Sequence, residues 1–153
     1  MEIELEDASI RHLDQLCKIE KECFAEEAFT RRQIAYLLTE YNSIGLIAKV
    51  KGEVAGFIIG RIDAERESLV GHILTIDVAP AYRRRRIAQR LLQEIERLFK
   101  EKGAKKCRLE VREDNVAALN LYRKLGYEKV ERLERYYKDA HGLYLKKALT
   151  QLQ

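Results

Sequence analysis

Four consecutive arginines, Arg83, Arg84, Arg85 and Arg86, form the longest run of like charge in the chain. They follow an aliphatic, β-branched stretch, Leu69-Val70-Gly71-His72-Ile73-Leu74-Thr75-Ile76-Asp77-Val78. That stretch reads as a strand, closed by Pro80, which cannot donate to a sheet ladder. After the arginines, Ile87, Leu91, Leu92, Ile95, Leu98 and Phe99 recur every three or four residues, the pattern of a helix with one apolar face. The arginines therefore stand where a strand hands over to a helix. A helix N-terminus leaves about four backbone N–H groups unpaired and carries about half a positive charge, so it attracts phosphate even without side chains. Arg83 to Arg86, followed by Ile87, Ala88 and Gln89 in the first turn, make a seat for a polyanion such as a pyrophosphate. A solvated basic face and a nucleic-acid patch are the competing readings. The order strand, proline, arginines, amphipathic helix puts the charges at a helix N-terminus, where an anion is held best.

A second constellation runs Leu109-Glu110-Val111-Arg112-Glu113-Asp114-Asn115-Val116-Ala117-Ala118-Leu119-Asn120-Leu121-Tyr122-Arg123-Lys124-Leu125-Gly126-Tyr127. Strand alternation sends Leu109 and Val111 to one face and Glu110 and Arg112 to the other. Glu110 is thus a carboxylate turned away from its apolar neighbours, able to take a proton or to pair with Arg108 or Arg112 as an ordinary edge residue. Asn115 opens a short helix as its cap. Tyr122 lies seven residues further, about two turns along, on an apolar face where a core tyrosine is the plain alternative.

These two stretches resemble the GNAT acetyltransferases. Arg83-Arg84-Arg85-Arg86-Ile87-Ala88 is similar to that family's (Gln/Arg)-x-x-Gly-x-(Gly/Ala) signature, which holds the pyrophosphate of acetyl-coenzyme A; Arg86 stands where the family has its central glycine. The run from Leu109 to Tyr127 resembles the N-terminal acetyltransferases of the RimI and archaeal Ard types. The resemblance implies acetyl-coenzyme A as cosubstrate and no metal. It implies cosubstrate contacts at Ile76, Asp77, Val78, Arg83, Arg84, Arg85, Arg86, Ile87, Ala88, Gln89, Asn115 and Tyr122. Glu110 would be the general base and Tyr122 the acid at the departing thiolate. A peptide α-amino group has a pKa of about 7.7–8, so a modest base suffices. Free N–H groups near Ile76 to Val78 would stabilise an oxyanion.

On the acceptor side, Phe24-Ala25-Glu26-Glu27-Ala28 resembles the Ard-type loop whose glutamate faces the substrate N-terminus, with Glu26 in the matching place. Arg135-Tyr136-Tyr137-Lys138-Asp139 resembles the RimI hairpin that covers the peptide, with Ala140 in place of its glycine. This implies substrate contacts at Glu26, Tyr136 and Tyr137, against solvated glutamates and packed tyrosines. His72, upstream on the arginine-bearing strand, joins them as a proton shuttle, against a structural histidine. The implied acceptor is a protein or peptide N-terminus, including ribosomal or nascent chains. A lysine or small-amine acetyltransferase of the same fold and a non-catalytic RNA- or ribosome-binding module are the alternatives.

The elements that must position these residues follow from the remaining pattern. Glu2 to Glu6 reads as a strand. A helix follows with Ile10, Leu13, Leu16, Cys17, Cys23 and Phe24 inward and Glu20 at the edge of that face. Ala25 to Phe29 is a loop, and Thr30-Arg31-Arg32-Gln33 is a capping box opening a second helix. Ile44 to Val50 and Val54 to Ile62 form a hairpin, and Ala64 to Ser68 a charged loop. The arginine-bearing strand and its helix come next, ending at Gly103. Lys106 to Arg112, the short helix, Tyr127 to Tyr137, a turn from Lys138 to Gly142, and Leu143 to Leu149 complete the chain. The order β-α-α-β-β-β-α-β-α-β-β implies an α/β fold: a mixed, mostly antiparallel sheet of about seven strands with four helices on both faces, which is also the GNAT order.

At 153 residues, with 46% hydrophobic and 35% charged residues, the chain is expected to be one domain spanning 1–153. A net charge of +4, clustered at the arginines and at Lys102, Lys105, Lys106 and Arg108, favours an anionic small ligand over stable nucleic-acid binding. No run of about 18 apolar residues offers a membrane span, and the acidic start lacks a signal peptide's apolar centre, so a cytoplasmic protein is expected. Cys17, Cys23 and Cys107 lack metal-ligand spacing and read as buried free thiols.

Overall fold

The computed structural model describes residues 2–149. Among these, seven strands make one sheet: β1 (Glu4–Asp7), β2 (Ser43–Val50), β3 (Glu53–Glu65), β4 (Ser68–Val78), β5 (Ala104–Arg112), β6 (Glu128–Tyr137) and β7 (Ala140–Ala148). Their spatial order is β1-β2-β3-β4-β5-β7-β6. Every neighbouring pair is antiparallel except β4 and β5, which run parallel. Four α-helices cover the sheet: α1 (Leu13–Phe24), α2 (Arg31–Thr39), α3 (Ile87–Glu101) and α4 (Val116–Lys124). This is the α/β architecture expected. None of the described helices is long and apolar enough to cross a membrane.

One face of the sheet is closed by α1 and α2, whose Leu13, Leu16, Ile19, Ile34 and Leu37 pack on Ile47, Phe57 and Ile59. The other face is closed mainly by α3. Its stripe of Ile87, Leu91, Leu92, Ile95 and Phe99 is fully buried, each side chain contributing about 1.5–3 kcal/mol over exposure. Glycines let this helix settle closely. A β-carbon at Gly71 would lie 2.2 Å from the Phe99 ring, and one at Gly60 2.7 Å from it, so that ring rests directly on the backbone of β3 and β4. At α2 the expected capping box is present, with Gln33 N–H donating to Thr30 Oγ1 (3.1 Å) and Thr30 N–H to Gln33 Oε1 (2.8 Å).

Two irregularities in β4 shape everything that follows. First, it pairs with β5 only from Leu69 to His72, opposite Ala104 to Arg108. Beyond that the strands part, leaving one backbone edge of β4 unpaired by β5. Second, Gly60 faces Ile73 while Ile59 faces Thr75, so Leu74 bulges out of the β3–β4 register. The bulge shifts the alternation by one. Thr75 and Asp77 therefore share the α1 face with His72, which an unbroken strand would place opposite them.

Several boundaries differ from the sequence expectation. β3 continues to Glu65, so the turn is Arg66-Glu67 and not Ala64 to Ser68. The charged residues extend the strand because Asp63 and Glu65 meet Arg108 of β5 across the sheet, at 3.4 and 3.5 Å. β7 begins at Ala140, so Gly142 is a strand residue rather than part of a turn; a β-carbon there would crowd Tyr136 at 3.1 Å. Glu20 lies at no edge: it is 2% exposed. Cys107 is buried as expected, whereas Cys17 and Cys23 are only half-buried.

Candidate active site

The parting of β4 and β5 opens the sheet beside Glu110. That residue is on the α1 face of β5, while Leu109 and Val111 enter the α3 core, as alternation requires. Glu110 Oε1 lies 2.8 Å from Nε2 of His72 on β4. Two bare acceptors repel at that distance, so a proton lies between them. On its other side His72 Nδ1 is 3.7 Å from Asp63 Oδ2, and Asp63 is itself held by Arg61 Nε at 3.0 Å and by Arg108. Both ring nitrogens of one histidine are thus flanked by carboxylates from neighbouring strands. Neither Arg108 nor Arg112 takes Glu110 as its partner: Arg108 goes to Asp63 and Glu65, and Arg112 to other carboxylates.

Tyr122 is buried within the α3-side core and meets Tyr127 edge-on, with ring centroids 5.7 Å apart. Burial, ahead of the nearby Tyr137, holds its phenol protonated well above the usual tyrosine range. Asn115 caps α4, its Oδ1 accepting from Ala118 N–H at 3.1 Å.

At the arginine run the backbone does what glycine does elsewhere. Arg86, the cap of α3, has φ +63°, and Arg84 has φ +65°; both lie in the left-handed region that glycine adopts without strain. The first turn of α3 carries no acidic residue, so the N–H groups of Ile87, Ala88 and Gln89 are not competed for by a local carboxylate. The arginine side chains divide. Arg83 turns back toward α1, its Nε donating to Val78 O (3.2 Å) with a second nitrogen 3.5 Å from Cys23 Sγ. Arg85 lies over the Tyr82 ring at 5.6 Å. Arg84 and Arg86 are exposed at the helix entrance. Gln89 receives Lys124 Nζ at 3.3 Å, tying α4 to the same helix end. Ile76 and Val78 have their side chains against the α3-side core, whereas Asp77 points to α1 and is 1% exposed.

The acceptor-side residues converge through Arg112, which the sequence offered only as a partner for Glu110. Its guanidinium reaches Glu27 in the turn after α1, Asp114 (2.9 Å) after β5, and Asp139 (2.7 Å) in the β6–β7 turn. It also lies over the Tyr137 ring at 5.7 Å. Glu26 faces Lys138 of the same hairpin at 3.6 Å. Tyr136 and Tyr137 stand edge-on at 4.9 Å, Tyr137 half-buried and Tyr136 exposed. Burial first, and then the Glu110 charge, raises the pKa of Tyr136; for Tyr137 burial and Tyr136 precede Glu110. Glu26, Tyr136, Tyr137, His72 and Glu110 are therefore gathered at one end of the sheet. Arg112 was legible in principle, since it shares the face of Glu110 two residues on. Asp63 carried no local signal, because only the β3–β4 register sets it beside His72.

Residues 10–127 match the acetyltransferase (GNAT) family. The chain is 35% identical to an N-alpha-acetyltransferase of Sulfurisphaera tokodaii, covering 94% of this chain and 91% of that protein. Its fold matches Ard1 from Thermoplasma volcanium with a TM-score of 0.90 at 24% identity, over 99% of this chain and 100% of that one. It also matches a chain of the NatC complex solved with Gag peptide and CoA, with a TM-score of 0.86 at 26% identity, over 98% and 100%. With the family matched across both β4 and β5 and a relative similar along nearly its full length, the chain belongs to the GNAT family of acetyltransferases.

Proposed function

We propose that this protein moves acetyl from acetyl-coenzyme A to the α-amino group of a protein or peptide, by direct transfer from thioester to amine. The observation that carries the reading is the proton-sharing contact between Glu110 and His72 at the point where β4 and β5 part. An incoming ammonium must lose a proton before its nitrogen can attack a carbonyl carbon. Glu110 takes that proton and becomes neutral, and His72, in contact with it and with Asp63 on its far side, holds the carboxyl in place. Attack of the freed amine forms the carbon–nitrogen bond and an oxyanion. Its collapse breaks the carbon–sulfur bond; Tyr122, kept protonated by burial, gives its proton to the leaving sulfur, and the second proton shed by the new amide nitrogen restores the phenol.

The residues fit such a cosubstrate. The helix entrance of α3, with Arg84, Arg86 and the first-turn amides, suits a pyrophosphate. The unpaired edge of β4 suits an extended amide-bearing arm, which pairs like an added strand. The acceptor enters between the turn carrying Glu26 and the hairpin carrying Tyr136 and Tyr137. Its N-terminal identity supports an α-amine over a lysine: the similar archaeal protein is an N-alpha-acetyltransferase.

Incubation with labelled acetyl-coenzyme A and a panel of peptides, followed by mass-spectrometric mapping of the acetyl group, tests this. Label on the α-amine supports it. Label confined to lysine or to small amines overturns the acceptor assignment. Salt-dependent RNA binding indifferent to coenzyme A, with no acetyl transfer, overturns the whole reading.

A further inference from the structure

Beneath the acceptor mouth lies a group of polar side chains that the proposed chemistry does not use. Glu20 of α1, Thr75 and Asp77 of β4 are 2%, 6% and 1% exposed. Thr75 Oγ1 lies 2.9 Å from Glu20 Oε1 and 2.6 Å from Asp77 Oδ1. A hydroxyl carries one hydrogen, so it can donate to only one of these oxygens. The other contact is a hydrogen bond only if that carboxyl is protonated and donates to Thr75. The remaining oxygens tell the two acids apart. Glu20 Oε2 accepts from the backbone N–H of Phe29 at 3.0 Å, a contact that favours an anion. Asp77 Oδ2 is buried, receives no hydrogen bond from a donor among the described residues, and has the Glu20 carboxyl beside it, a position far costlier for a charged oxygen than for a neutral one.

We propose that Asp77, Thr75 and Glu20 form a directed one-proton relay that positions the acceptor-side turn. Asp77 is neutral and donates to Thr75; Thr75 donates to ionised Glu20; Glu20 holds the N–H of Phe29. That amide closes the Ala25–Ala28 segment, which carries Glu26 and Glu27. The three residues are positioning residues, acting on substrate only through this segment. Their role in acceptor binding rests on the function proposed above; the proton's location and the hold on Phe29 do not. The titratable and charged groups near the relay are Cys17 and Cys23 from α1 and Arg83 from the loop after β4, with Tyr122 of α4 acting on Asp77 from the α3-side core. Burial, followed by the Glu20 charge, raises the Asp77 pKa, in the direction the hydrogen count requires.

Three measurements test this on the full chain. Infrared spectra at pH 7 should show a protonated-carboxyl C=O band that disappears in Asp77→Asn; a wild-type spectrum without that band overturns the relay. Hydrogen exchange of the Phe29 amide should speed up roughly ten-fold in Thr75→Val, which removes the central hydrogen bonds, and return to the wild-type rate in Thr75→Ser. Unchanged exchange in Thr75→Val, in protein whose circular dichroism shows it folded, overturns the hold on the turn. With an accepted peptide, Thr75→Val should raise KM for peptide roughly three- to ten-fold while KM for acetyl-coenzyme A stays within about two-fold, and Thr75→Ser should reverse it. Equal change in both constants overturns the positioning role. The first two readouts decide the relay even where no peptide is acetylated, so failure of the proposed activity is distinguishable from failure of the relay.

Discussion

Glu110 on β5 and His72 on β4 meet at 2.8 Å although 38 residues separate them, because β4 and β5 run parallel up to His72 and then diverge. Removing the carboxylate charge should therefore stop proton removal while leaving both binding surfaces. Glu110→Gln is expected to lower kcat by about 10²- to 10⁴-fold at pH 7, with a smaller loss above pH ~8, where the amine is already free. His72→Gln should behave alike. The double variant should be no worse than the poorer single one, because the two act as a unit. Turnover of Glu110→Gln equal to wild type across the pH range would remove Glu110 from the base role.

The left-handed backbone at Arg86 makes an opposite pair of expectations for stability and binding. Arg86→Gly relieves the strain of a side chain at φ +63°, about 1 kcal/mol, and should raise Tm by about 2–4 °C. Arg84→Ala with Arg86→Ala should raise KM for acetyl-coenzyme A by roughly ten-fold, more than it raises KM for peptide. Added salt should reproduce part of that rise in the wild type. A thermal melt and steady-state kinetics at two ionic strengths check both.

Arg112 joins three chain segments through Glu27, Asp114 and Asp139. Arg112→Ala should release the turn after α1 from the β6–β7 hairpin, raising KM for peptide several-fold with KM for acetyl-coenzyme A little changed. Arg112→Lys should recover only part of the loss, since an ammonium cannot fork between carboxylates as a guanidinium does. Equal behaviour of the Ala and Lys variants would show that charge, not the fork, holds the entrance.

Gly71 sits 2.2 Å, measured from a built β-carbon, from the ring of Phe99. Gly71→Ala should cost about 1–3 kcal/mol through overpacking, read as a lower urea midpoint with unchanged slope. Adding Phe99→Leu should return part of that stability, because the smaller side chain vacates the space the methyl needs. Additive losses in the double variant would show that the two residues do not compete for one volume.

Asp77 gives a pH signature with a definite sign. Its native pKa is raised, chiefly by burial and then by Glu20, so the native state keeps a proton that the unfolded chain sheds above about pH 4. That stabilisation is complete below pH ~4 and declines by about 1.4 kcal/mol per pH unit as pH rises toward the native pKa. Asp77→Asn cannot titrate. Its stability relative to wild type should therefore climb between pH 5 and 7, as followed by denaturant unfolding. A difference that stays flat over this range would mean Asp77 is ionised in the native protein.

The element order and the two motif stretches could be read directly, because periodicity at 3.6 and at 2 marks α3 and β4 without any long-range knowledge. The cap at Thr30 and the stop at Gly103 were equally local. What could not be read was set by register. The bulge at Leu74 moves Thr75 and Asp77 onto the face of His72, and nothing in the alternation of β4 announces it. The burial of Glu20 follows from that shift, since its partners would otherwise lie on the far side of the sheet. Glu65 looked like a loop residue, and Asp63 fell just past the expected strand, because their cationic partner Arg108 comes from a strand more than 40 residues away. Arg83 was expected among the phosphate-facing arginines, yet its guanidinium is engaged with Val78 O, a choice made by the path of the chain between Val78 and α3.

The parallel contact of β4 with β5 is confined to the register from Leu69–Ala104 to His72–Arg108. The sheet is in effect two leaves, β1 to β4 and β5 to β6, stitched along a short seam and backed by α3. A cosubstrate arm bound in the gap, as proposed above, would complete hydrogen bonding that neither leaf can finish alone. Saturating it at 100 times its Kd adds about 2.7 kcal/mol of stability. That gain would belong to the folded state as a whole, and the bound arm would tie one leaf to the other across the seam.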